Sequence, residues 1–431
     1  MRILWVKADF LHPTTRGGQI RTLEMLKRLH ARHEVHYIGY ENPDQPEGVR
    51  RAPEYCTRAY PVPLDVPPRA SFRFAVQWLK NLSSSMPLSL SRYYSMAMRD
   101  QICSVLRALS FDSVVCDFLA PAPNFEDLSQ CVLFQHNVET MIWRRHAEHA
   151  RDPLRRRYFQ NQAARMFEWE RRACQAAAHV IAVSPQDAAL LRDMFGVEAS
   201  YVPTGVDVEY FRRPEMVDPK VDIVFVGSMD WMPNIDGANY FAREVLPLIW
   251  QKMPNCTFAI VGRSPTANIR AMAEREVRIQ VTGTVRDIRP WLWGSRVSIV
   301  PLRIGGGTRL KIYEAMAAGT PVISTRVGAE GLDVSHPSNI RLADTPSELA
   351  NQCIELLENS GEQDQMAREA LHLVTTRFSW GIISSEFEKL LLSVQRRNSA
   401  PELVAKSSYI HHEKCNSRPG ASCHQQEGII E

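Results

Sequence analysis

No stretch of this 431-residue chain approaches the ~20 consecutive apolar residues that a membrane-spanning helix requires. No compact block of Lys and Arg is present, and a formal net charge of +3 is too small to argue for a nucleic-acid partner. The nine cysteines contain no C-x-x-C pair and no metal-like spacing. Several, such as Cys116 and Cys131, fall in strand-like runs, so reduced, buried thiols are expected rather than a disulfide framework. No G-x-G-x-x-G follows the first strand-like run, and no ribose-reading acid follows at the right distance, which argues against a dehydrogenase. No D-x-D stands at a strand end, so a bridging divalent metal is not indicated, and no cofactor is called for. Met1 leads straight into RILWVKA, so no secretory leader is expected. The expectation is a cytoplasmic protein, or one lying on the inner face of the cytoplasmic membrane.

What remains is ordinary globular composition, 45% hydrophobic and 23% charged, in a chain long enough for two cores. The order of patterns is strand, loop, helix, strand, twice over. RILWVKA runs into FLHPTTRGGQ, then into a helical pattern with Ile20, Leu23, Leu26 and Leu29 on one face, then EVHYIGY. Residues 42–70 are Pro-rich and read as irregular. Helical patterns follow near 71–82 and 91–109. The short apolar runs SVVCD, CVLFQHN, HVIAVS and ASYVP suit buried parallel strands, interrupted by one long polar helical stretch from Glu139 to Ala178. Residues 206–220 read as a linker. A second alternation then begins with DIVFVG and continues through TFAIVG, RIQVTG and VSIVPL. The fold class expected is α/β, with two Rossmann-like domains of doubly wound parallel sheet, residues 1–205 and 221–375, facing a central cleft. A helix over 376–395 is expected to pack back on the N-terminal domain, and 396–431 read as a disordered tail.

The most specific segment is IVPLRIGGGTRLKIYEAMAAGTPVIST, from Ile299 to Thr325. An apolar run enters Gly305-Gly306-Gly307, Thr308 can cap a short helix from Arg309 to Ala318, and Gly319 ends it. This is the unit that sets backbone N–H groups and a helix N-terminus against an anion. Lys311 and Glu314 share one helix face, a cation suited to phosphate and a carboxylate suited to ribose hydroxyls. On these residues alone an ordinary surface ion pair is equally open.

Four stretches taken in order resemble a retaining glycosyltransferase of the two-domain GT-B type, similar to the large family-four (group 1) class. They are RGGQIRTLEML, HVIAVSPQDAALL with VPTGVDVEYF, VFVGSMDWMPNIDG, and GGGTRLKIYEAMAAGTPVIST with VGAEGL. The third and fourth together most resemble a bacterial branch associated with exopolysaccharide assembly. The resemblance implies a nucleotide-sugar donor, UDP- or GDP-linked, on the C-terminal domain and a glycan or lipid-linked acceptor on the N-terminal one. It also implies that Glu314 holds the ribose, that amides around Gly306 and Gly307 face the diphosphate, and that His136 lies near the transferred sugar. Gly17 and Gly18 would let the N-terminal backbone approach the diphosphate, and Gly227 ends the first strand of the donor domain.

The chain departs from the family pattern in two places. The first of two expected glutamates is replaced by Gly306. The usual Arg and Lys of the donor loop are replaced by Ser228 and Asn234. The phosphate charge must then fall to other cations, Arg309 and Lys311 first and Arg263 third. Glu139 reads as a cap of the following helix. Asp117 could face the cleft, although a turn role suits its position better. The helix-like RASFRFAVQWLKNL and the arginine-rich stretch near 144–172 mix basic and aromatic groups, as an anionic membrane surface would favour; a solvated face plus core aromatics is the plainer account. A catalytically silent nucleotide-sugar-binding subunit, a GT-B epimerase and a phosphorylase are the alternative functions.

Overall fold

The computed structural model describes residues 1–14, 16–63, 71–150, 152–304 and 310–399. Gly305, Gly306, Gly307, Thr308, Arg309 and residues 400–431 lie outside the described residues. Two parallel sheets organise the chain. The first runs β3-β2-β1-β4-β5-β6-β7, with β1 Arg2–Val6, β2 Glu34–Glu41, β3 Arg58–Pro63, β4 Ser113–Asp117, β5 Cys131–Phe134, β6 His179–Ala182 and β7 Ala199–Tyr201. The second runs β10-β9-β8-β11-β12-β13, with β8 Val221–Val226, β9 Phe258–Val261, β10 Ile279–Gly283, β11 Ser295–Val300, β12 Val322–Ser324 and β13 Arg341–Leu342. In both sheets the order reverses beside the first strand, at β1/β4 and at β8/β11. A crevice opens at the carboxyl ends of the strands there, which is where ligands of such sheets bind.

The helices that matter below are α1 Gly17–His30, α2 Phe72–Leu82, α3 Met96–Ala108, α4 Glu139–His149, α5 Pro153–Ala176, α6 Pro185–Phe195, α7 Met232–Tyr240, α8 Ala267–Arg275, α9 Leu310–Ala317, α10 Pro346–Glu358, α11 Ser360–Arg377 and α12 Trp380–Ser399. Three differ from the sequence reading for identifiable reasons. The stretch 139–178 is two helices, because Asp152 caps a new start by accepting from Arg155 N at 2.7 Å and Pro153 occupies the first turn. The pattern near 91–109 is helical only from Met96, where Ser95 caps the start. The final helix begins at Trp380 and runs to Ser399, later at both ends than 376–395. The supposedly irregular 42–70 contains β3, whose Pro61 and Pro63 are tolerated because β3 is an edge strand.

The main core cluster does not stop at the boundary between the two sheets. One cluster of buried residues runs from Ile3 and Trp5 through Val202, Val206 and Trp380 to Phe225 and Ile299. The chain crosses between the sheets twice, and the crossings pair with each other: Val206 N donates to Phe378 O at 2.8 Å and Trp380 N to Val206 O at 3.3 Å. Gly205 is needed here, since a Cβ would stand 2.5 Å from the Trp380 ring. After the second crossing α12 lies on the first sheet. Phe387 packs on Trp5 and Phe134 with ring centroids 5.5 and 5.0 Å away, and Glu388 pairs with Arg32 and His33. The linker itself carries a one-turn helix, Val208–Phe211.

Candidate active site

Between the sheets lies a cavity of about 720 Å³ whose walls come from both switch points. The N-terminal side is built from Lys7 and Asp9 after β1, Gly17, Gly18 and Arg21 at the start of α1, Asp117 at the end of β4 with Phe118 after it, and His136 and Glu139 after β5. The opposite side comes from Gly227 and Ser228 after β8, Trp231 and Asn234, and Leu310, Lys311 and Glu314 of α9. The sequence candidates Gly17, Gly18, His136, Gly227, Ser228, Asn234, Lys311 and Glu314 are therefore brought to one cavity. Arg263 is not among its lining residues. Its Nε donates to Ser228 Oγ at 2.8 Å and lies 3.4 Å from Asp230, so the neighbouring acid occupies it. The candidates Gly305, Gly306, Gly307, Thr308 and Arg309 lie outside the described residues.

Helix α9 shows how local sequence aims the chemistry. Ile312, Tyr313, Ala315 and Met316 are buried, which leaves Lys311 and Glu314, three apart, on the remaining face toward the cavity. Lys311 Nζ donates to Asn234 Oδ1 at 2.8 Å, and Asn234 Nδ2 donates to Ser228 O at 2.8 Å. The ammonium also lies 4.7 Å from the centroid of the Phe225 ring. Gly227 permits this arrangement, because a Cβ there would meet both Lys311 Nζ and Asn234 Nδ2 at 2.7 Å. Asn234 thus steers a cation supplied by α9. The Glu314 carboxylate makes no hydrogen bond to another described residue. Burial pushes its carboxyl up to about 7, with Lys311 opposing the shift.

On the other wall, Asp117 is a fully buried hub rather than a turn residue. Its Oδ2 accepts from Trp5 Nε1 at 3.0 Å, Lys7 Nζ at 2.9 Å and Thr22 Oγ1 at 2.7 Å, while Oδ1 lies 2.7 Å from His136 Nε2. Burial alone would raise this carboxyl, but Lys7 and His136 hold it well below the usual carboxylate range. Phe118 adopts a φ of +69°, uncommon for a non-glycine residue, and its ring stacks on His136 at 3.8 Å. Gly18 lies flush against that ring, where a Cβ would stand 2.6 Å from Phe118 Cζ. Arg21 is buried beneath, donating to Val202 O, and burial brings its guanidinium down to about 9.

Glu139 is the first residue of α4 and does not cap it. The cap is Glu170 of α5, whose buried carboxylate accepts from Glu139 N and Thr140 N, both at 2.8 Å, and from Thr140 Oγ1 at 2.6 Å. Glu139 instead lines the cavity, and burial, with the charge of Glu170 behind it, raises its carboxyl to about 7. Lys7, Trp5, Thr22 and Glu170 escape a sequence reading because their partners lie up to 112 residues away. Among the described residues the domains approach each other near the cavity at Gly17, where a Cβ would stand 3.1 Å from Leu310 Cδ1, and at Arg145, which pairs with Glu330 at 3.1 Å.

Two family profiles match this chain: Glycosyltransferase Family 4 over residues 15–210 and Glycosyl transferases group 1 over residues 220–359. The chain belongs to the group 1 glycosyltransferases. Its fold is GT-B, and solved structures share it. The sucrose-phosphate synthase of Thermosynechococcus elongatus superposes with a TM-score of 0.69 at 16% identity, covering 92% of this chain and 100% of that one. Anabaena HepE in complex with UDP superposes with a TM-score of 0.64 at 14% identity, over 91% and 100%. HepE is also known in complex with UDP-glucose. At these identities the likeness speaks for fold alone. A curated relative, an uncharacterized 44.6 kDa protein in the cps region of Klebsiella pneumoniae, is 20% identical over 176 residues, 39% of this chain and 45% of that one. The match therefore spans less than half the relative's length. Among the described residues of this glycosyltransferase no helix is long and apolar enough to cross a membrane.

Proposed function

We propose that this glycosyltransferase moves a hexose from a UDP- or GDP-sugar to a glycan or lipid-linked acceptor, with retention at the anomeric carbon, in the assembly of a cell-surface polysaccharide. The observation that carries the reading is Lys311: a cation tied to Asn234, on the same helix face as Glu314, facing Gly18 and His136 across one cavity. Breaking the bond between the anomeric carbon and the diphosphate builds negative charge on the leaving oxygen. Preorganised cations and N–H dipoles stabilise that charge most effectively. Lys311 takes the place a divalent ion would hold; Glu314 accepts from the ribose hydroxyls, and His136 contacts the transferred sugar. In a retaining reaction the leaving phosphate oxygen takes the acceptor proton on the same face, so no dedicated base is required. The HepE complexes with UDP and UDP-glucose support a uridine donor, and the cps-region relative supports a polysaccharide product.

A thermal-shift screen of UDP, GDP, ADP and their sugars tests the reading. A ligand that binds only the native protein stabilises it by RT ln(1 + [L]/Kd), about 2.7 kcal/mol at a hundredfold excess over Kd. One nucleotide series should stand out. If no nucleotide or nucleotide sugar raises the melting temperature, the reading is wrong.

The acceptor side includes Ser89, Leu90 and Tyr93, which follow α2 closely in the chain. Phe72 is 84% exposed on α2, with Leu79 and Leu82 also exposed, so these are not core groups. Arg165 fastens the end of α2 to α5 by donating to the carbonyls of Asn81 and Leu82. Arg73 and Lys80 lie on the same helix, and Leu154 is exposed at the start of α5 beside Arg155, Arg156 and Arg157. Apolar tips among cations suit the headgroup region of an anionic bilayer. The protein should co-sediment with anionic liposomes at low salt and far less with neutral ones, and Phe72→Asp with Leu79→Asp should abolish the difference. Equal sedimentation by the double variant would remove membrane docking from the proposal.

A further inference from the structure

A guanidinium seldom lies in a protein interior without a contacting carboxylate or a full set of acceptors. Arg21 does. It is 3% exposed on α1, three residues after Gly18 and so on the same helix face, and it lines the cavity. Its Nη2 donates to Val202 O, and Cζ lies 5.2 Å from the centroid of the Phe134 ring. Nε is buried with no hydrogen-bond partner among the described residues. The two carboxylates whose charge reaches Arg21 are engaged elsewhere. Asp117 accepts from Trp5, Lys7 and Thr22, and Asp187 accepts from Ser184 Oγ at 2.7 Å. Two residues beyond Val202, Thr204 is 1% exposed and lines the same cavity, and its Oγ1 is likewise without a partner among the described residues. A buried cation with unspent donors is costly until an anion meets it. Burial unrelieved by a contacting carboxylate is also what lowers the guanidinium to about 9.

The donors define what would satisfy them. A guanidinium is planar, and its paired N–H groups fit the two oxygens of a carboxylate. The Thr204 hydroxyl can add a further donor. The leaving diphosphate has its own cation in Lys311 on the opposite wall. The charge of Arg21 acts instead on His136, whose ring lies 4.4 Å from that of Phe134, so a group held at Arg21 sits beside whatever His136 faces. We infer that Arg21 and Thr204 form a carboxylate subsite in the N-terminal wall of the cavity, and that the sugar transferred is a uronic acid, oxidised at its exocyclic carbon, rather than a neutral hexose. Placing the carboxylate on the transferred sugar rests on the glycosyltransferase reading above.

Calorimetric titration of the full chain with nucleotide sugars matched in pairs tests this, the members of each pair differing only in oxidation of the exocyclic carbon. The pairs are UDP-glucose with UDP-glucuronate, UDP-galactose with UDP-galacturonate, and GDP-mannose with GDP-mannuronate. In one of them the acid should bind about 10–100-fold more tightly than its neutral counterpart. Arg21→Gln should bring that ratio to within about threefold of unity. Thr204→Val, which removes only the hydroxyl, should lower it several-fold. If the neutral sugar binds as well as the acid in every pair, the carboxylate subsite is wrong while the glycosyltransferase reading stands. If no member of any pair binds, both fall. Full acid preference in Arg21→Gln overturns the assignment to Arg21. Should Arg21→Gln fail to fold, the wild-type ratios and Thr204→Val still decide, because an arginine that merely anchors Val202 would leave acid and neutral sugars equal.

Discussion

Replacing Lys311 with methionine is expected to lower kcat for nucleoside diphosphate release by about 10²–10³-fold, equivalent to roughly 3–4 kcal/mol of transition-state stabilisation. Methionine keeps an apolar stem against Phe225, so the loss isolates the charge. The size follows from geometry. The ammonium is already bound to Asn234 Oδ1 before any ligand arrives, and a cation that need not reorganise contributes most when negative charge develops. Asn234 is itself buried and is fixed by Ser228 O, so the cation's position is set by backbone. Steady-state kinetics with the donor found by thermal shift, beside a melting curve to show the fold intact, checks the result. A variant within threefold of wild type would mean that the leaving phosphate is stabilised elsewhere.

Glu314→Gln should move binding and stability in opposite directions. The carboxyl of Glu314 ionises only near 7 in the folded protein, against an ordinary value of 4.5. Between those values the native state holds a proton that the unfolded chain has released, so stability falls as pH rises through this window. Above it, the protein carries an ionised, poorly solvated carboxylate, a burden of the order of 1–3 kcal/mol. Glutamine removes that burden, and the variant should therefore melt above wild type at pH 8 and level with it near pH 5. Ribose hydroxyls donate best to the ionised form, so wild-type nucleotide affinity should strengthen as pH rises through about 7. In the variant the affinity should be weaker by roughly tenfold or more and flat with pH. Calorimetric titration at three pH values, with melting curves at the same values, reads both effects. Affinity in the variant that matches wild type across the range would remove Glu314 from the nucleotide site.

Periodicity and glycine placement carried much of this molecule. Both βα units at the head of the sheets follow from apolar strands running into Gly17-Gly18 and into Gly227, and the spacing of Lys311 and Glu314 already put them on one face. The buried network was not legible in the same way. Asp117 ends a strand whose residues give no hint of Trp5 or Lys7, because those partners meet it only when β1 and β4 pair. Glu139 looked like a cap because it opens a helix, and nothing local reveals that Glu170 performs the capping from another helix. The edge strand β3 was hidden by its prolines, a negative signal for a central strand but not for one with a free side.

Because the polypeptide passes from one lobe to the other twice, side by side, with Val206 laced to Phe378 and Trp380, the lobes are joined by a two-ply strap. Such a strap bends readily across its width but resists twisting, so relative movement should be restricted to opening and shutting about a single axis. Residues on facing walls would then meet in the same register at every closure, without a search for alignment.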